Sequence, residues 1–99
     1  MESYVSYYTF FSDNAKLIKD VQMDFEVEKL TGVAFDKAYG AFVNKLIGRC
    51  HSFAESTFRG TSKVISEYIS DIDHTRNDTQ GKRFGVLQQL TDTYMRRAV

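Results

Sequence analysis

The chain has 99 residues, 13 basic and 13 acidic side chains, one cysteine, and neither tryptophan nor proline. That length predicts one domain, residues 1–99, with a single core drawn largely from six tyrosines and eight phenylalanines. A net charge of zero excludes any general attraction to polyanions, the lone Cys50 excludes an intramolecular disulfide framework, and no apolar run approaches the ~20 residues of a membrane span.

Tyr4 to Phe11 reads YVSYYTFF, an aromatic and β-favouring run that predicts an extended strand. Ser12, Asp13 and Asn14 form a turn-favouring cluster, because short polar side chains bond back to the local backbone. Beyond it, Val21, Met23, Phe25 and Val27 alternate with Asp20, Gln22, Asp24, Glu26 and Glu28, the period of a strand with one buried and one wet face. The two runs predict an antiparallel β-hairpin over about residues 3–29, closed by Thr31 and Gly32. A rival reading exists, since Tyr4, Tyr8, Phe11, Ala15 and Ile18 also satisfy helical spacing. If residues 3–30 are helical, the fold is an all-α bundle.

After Gly32 the period changes. Phe35, Tyr39, Phe42, Leu46, Cys50 and Phe53 fall within an arc of roughly 80° at about 100° per residue, which predicts a long helix over about 33–58. Gly60 is placed to stop it, and Thr61 or Ser62 to cap a second helix, about 62–73, whose apolar face is Val64, Ile65, Tyr68, Ile69 and Ile72. His74 to Gly81 is polar and aperiodic and reads as a surface loop. Phe84, Leu87, Leu90, Tyr94, Met95 and Ala98 then predict a last helix over about 82–98. The predicted architecture is α+β, a hairpin followed by three helices.

No chemistry-bearing motif is present. His51 and Glu55 stand one helical turn apart, but two donors do not make a metal site, and His74 among Asp71, Asp73 and Asp78 lacks the order of a calcium loop. The glycines are too dispersed for a phosphate-binding loop, no activated nucleophile has a recognisable base, and Cys50 lies on the apolar stripe as a small hydrophobe. The expectation is a non-enzymatic protein without cofactor or metal.

Three features point to interaction instead. Tyr4, Tyr7 and Tyr8 supply amphipathic anchors beside an acidic stripe that includes Asp24, Glu26 and Glu28. Gly40, Asn44 and Gly48 form a strip of small residues that a second helix or a partner backbone could approach. An unpaired hairpin edge also favours a two-fold dimer. The chain therefore reads as a small cytoplasmic regulator or inhibitor of a larger protein, acting as a homodimer away from membranes. The alternative is a nucleic-acid-binding accessory protein using the basic tail cluster Arg76, Lys82, Arg83, Arg96 and Arg97.

Overall fold

The computed structural model describes residues 2–78 and 82–99, with side chains from residue 6 onward. It contains four α-helices: α1, Glu2–Glu28; α2, Gly32–Phe58; α3, Lys63–His74; and α4, Arg83–Arg97. A short 3₁₀ turn, Thr75–Asn77, follows α3. No strand occurs among the described residues. The predicted hairpin is therefore wrong and the fold is all-α, with residues 3–28 in one helix.

The error has a physical origin in the 3.6-residue turn. Tyr7, Phe11, Asn14, Ile18, Val21 and Phe25 step along α1 by alternating fours and threes, and this stripe faces the interior. Val21 and Phe25 belong to it, whereas Met23 is 57% and Val27 79% exposed. Two solvent-facing apolar residues interleaved with two core residues counterfeit the alternation of a strand. Asn14 completed the disguise. It sits on the core stripe, fully buried, where a turn-former was expected. The predicted turn at Ser12, Asp13 and Asn14 lies in the middle of α1.

The helices run antiparallel in sequence. Phe10 stacks on Phe53 with ring centroids 4.2 Å apart at one end of the α1–α2 pair, and Phe25 meets Phe35 edge-on at 5.3 Å at the other. The most extensive helix pairing joins α4 to α1, where Phe11 lies 5.5 Å from Tyr94 and Phe25 lies 4.9 Å from Phe84. The molecule measures 43 × 21 × 19 Å, and its long axis matches the roughly 40 Å of a 27-residue helix.

Helix ends are set by local chemistry. Lys29 adopts a left-handed conformation (φ 56°), and Lys29 and Leu30 donate to the carbonyls of Glu26 and Phe25, so α1 closes on a Schellman turn. Ser62 caps α3 by accepting from the Ile65 amide at 3.1 Å, and its hydroxyl also meets the Tyr7 phenol at 2.6 Å. His74 closes α3 and does not open a loop, Thr75 is buried in the 3₁₀ turn, and residues 79–81 of the predicted loop lie outside the described residues.

Candidate functional site

The surface feature with most shape is a seam between α1 and α4. Ala15, Lys19, Gln22, Glu26 and Lys29 succeed one another at steps of four and three, forming one strip of α1 beside its core stripe. From α4, Asp92, Gln89, Gly85 and Lys82 run past them in the opposite direction. Two hollows open along these strips. The larger, about 560 Å³, has Phe25, Leu30, Phe35 and Phe84 as its floor, with Gln22, Glu26, Lys29, Lys82 and Gln89 around it. The smaller, about 180 Å³, continues between Ala15, Lys16, Lys19, Gln88 and Asp92.

Why the larger hollow exists follows from the packing beneath it. Phe84 stands edge-on to Phe25, Phe35 and Tyr39, with centroids 4.9, 5.9 and 5.1 Å away. Such edge contacts satisfy the ring quadrupoles, each contributing about 0.5–1.5 kcal/mol beyond simple burial. They fill the interior but not the mouth. On the outer side stands Gly85, where an added Cβ would meet nothing among the described residues within 4 Å, so α4 sends no side chain into the seam at that position.

A third hollow, about 520 Å³ and polar, lies around Asp36, Tyr39, Gly40, Arg76 and Arg83. Arg83 pairs with Asp36 at 2.7 Å, and its guanidinium lies 4.8 Å from the Phe35 ring centroid. Its Nε is buried without a hydrogen-bond partner. Arg76 pairs with Asp73 at 2.8 Å and donates to Asn44 Oδ1 at 2.6 Å and to the Gly40 carbonyl at 3.4 Å. Below them the Thr75 hydroxyl donates to the Ile72 carbonyl and meets the Tyr39 phenol at 2.6 Å. Burial holds the Tyr39 phenol above its ordinary pKa, against the lowering influence of Thr75, Arg83 and Arg76.

The residues singled out from sequence are dispersed. Tyr7 is packed, stacked on Phe11 and Phe58 and bonded to Ser62; Tyr8 is exposed; the side chain of Tyr4 lies outside the described residues. Asp24 and Glu28 share one strip of α1 while Glu26 faces the seam, so the acidic stripe of the supposed strand is divided by the helical turn. At Gly40 and Asn44 the small-residue strip is met by the Arg76 guanidinium, and Gly48 faces open space. The basic cluster splits as well. Arg76, Lys82 and Arg83 flank the start of α4, while Arg96 and Arg97 end it, about 20 Å away along the helix. At that far end Arg97 lies over the Tyr94 ring and 3.8 Å from Glu67.

No group of three or more His, Cys, Asp or Glu side chains that could hold a metal ion gathers among the described residues. Cys50 is fully buried, and that burial pushes its thiol up to about 12. Sequence reasoning missed the seam because Phe25 was assigned to a strand. A signal was present in the amphipathic strip from Ala15 to Lys29, which becomes visible once α1 is read as helix. No helix of the described residues is long and apolar enough to cross a membrane. Comparison with protein-family models, curated proteins and solved structures finds no match to this chain.

Proposed function

We propose that this chain is a small interaction protein that regulates a larger protein by holding a segment of it in the α1–α4 seam. One observation carries the reading: an aromatic floor of Phe25, Phe35 and Phe84 lies open between two polar strips. An apolar hollow ringed by polar groups is the form that protein recognition sites take, with the centre supplying affinity and the rim orientation. The earlier route to a partner, a hairpin edge, has no strand to act through, and the proposal does not require a dimer. Nucleic-acid binding draws less support, because Arg76 and Arg83 are engaged by Asp73 and Asp36 and the other two arginines of the cluster, Arg96 and Arg97, lie at the far end of α4.

Site-specific photocrosslinking in the native host tests this. A benzophenone side chain at Gln89 should trap one protein that the same group at Ser70, on α3 outside the seam, does not. Equal trapping at both positions, or none at Gln89, would remove the seam as the binding site.

A further inference from the structure

Resting on that binding role, we infer that the occupant of the seam is an amphipathic helical segment of another protein, with bulky apolar side chains on one face and acidic side chains flanking it. Gly85 is the residue that keeps its place open.

The shape argues for a helix. The two hollows lie along one strip of α1 and one of α4 that run about 21 Å, or four helical turns, from Ala15 to Lys29, with an apolar floor over the two turns from Gln22 to Lys29 and polar walls over the rest. A groove between antiparallel helices accepts a third helix by ridge-and-groove packing, and among the described residues there is no sheet edge to accept a strand.

Charge selects the sign of the segment. The chain as a whole is neutral, yet Lys16, Lys19, Lys29 and Lys82 line the seam against Glu26 and Asp92. None of those four lysines forms an ion pair among the described residues, whereas Arg76, Arg83 and Arg97 all do. Unpaired cations on both banks of an apolar trough complement an apolar helix with carboxylates along its edges.

Gly85 supplies the independent observation. A glycine within a helix weakens it, and here an added Cβ would meet nothing among the described residues, so no packing among them requires the missing side chain. Its absence leaves room in the trough directly beside Phe84, where the partner's largest apolar side chain is seated.

Two fluorescein-labelled synthetic peptides test this by anisotropy against the full chain. One is an 18-residue helix with leucines at i, i+3, i+4 and i+7 spacing and glutamates on the flanking positions; the other is its twin with every glutamate replaced by lysine. The acidic peptide should bind at least tenfold more tightly than the basic one, with an affinity that falls as salt rises. Gly85→Leu should weaken it at least tenfold while leaving the melting temperature equal or higher, and Gly48→Leu, on the open face of α2, should leave binding unchanged. Equal binding of both peptides, or unchanged binding to the Gly85→Leu protein, overturns the inference. A partner trapped at Gln89 with neither peptide bound would overturn the helical acidic segment while keeping the binding role; a concentration-dependent dimer abolished by Gly85→Leu would assign the seam to a second copy.

Discussion

Asn14 and Arg49 meet across the α1–α2 interface, where the fully buried Asn14 carboxamide accepts from Arg49 Nε at 3.2 Å and leaves its own Nδ2 without a partner. A half-satisfied amide on a core stripe is destabilising in itself, and its usual return is a fixed register between helices. Tyr68 and Thr91, bonded at 2.8 Å, extend this polar layer across α3 and α4.

Asn14→Leu removes the unsatisfied group and completes the apolar stripe while keeping the same number of side-chain heavy atoms. The variant should resist urea better by about 1 kcal/mol. Loss of stability in urea titration would show that the Arg49 contact outweighs the orphaned amide.

Phe84 joins three edge-on aromatic contacts, so Phe84→Ala opens a cavity at the centre of the cluster. A loss of about 3–5 kcal/mol is expected, a large share of the 5–15 kcal/mol that domains of this size possess. Thermal denaturation followed by circular dichroism should show the transition moved down by ten degrees or more. A shift within two degrees would contradict the packing described.

Two glycines should answer substitution by alanine in opposite directions. At Gly85 the added methyl meets open space in a helix, and stability should rise by up to about 1 kcal/mol. Gly60 has φ +89°, a conformation that a Cβ disfavours, and although the exposed Glu55 side chain can move away from the added methyl, Gly60→Ala should lower stability by about 1–2 kcal/mol. Chemical denaturation of the pair checks the contrast.

Alkaline pH should unfold the protein by linkage. Burial raises Cys50 from 9.0 to about 12, and burial also raises Tyr68 and Tyr39 above 10.0. Tyr94 rises to about 12 through burial and its bond to the Asp71 carboxylate. In each case the folded state retains a proton that the unfolded chain releases, so the stabilisation is complete below about pH 9 and declines as pH climbs toward 12. Cys50→Ala should flatten that decline by about 1.4 kcal/mol per pH unit in this window, measured from urea midpoints between pH 8 and 11. An unchanged slope would mean that the thiol ionises freely in the folded state.

The helices after Gly32 were readable because each carries an apolar stripe at helical spacing and most have a local stop or cap, such as Ser62 at the start of α3. In α1 the information was present but crossed. Asn14 occupied a core position with a polar side chain, and Met23 and Val27 placed apolar side chains in solvent, so three residues against type converted a heptad into an apparent hairpin. The seam was hidden by the same crossing. Its floor draws Phe25 from α1, Phe35 from α2 and Phe84 from α4, residues far apart in sequence that become neighbours only when the chain folds back on itself.

The pairing of the first helix with the last sets an order on biosynthesis. While the ribosome is still making residues 83–97, the face of Phe11, Ile18 and Phe25 that α4 will cover remains wet, with α2 and α3 already available to fold beside it. The nascent protein thus carries an adhesive surface until residues 83–97 emerge, and a stop before Arg83 would leave that surface permanently bare and prone to aggregate.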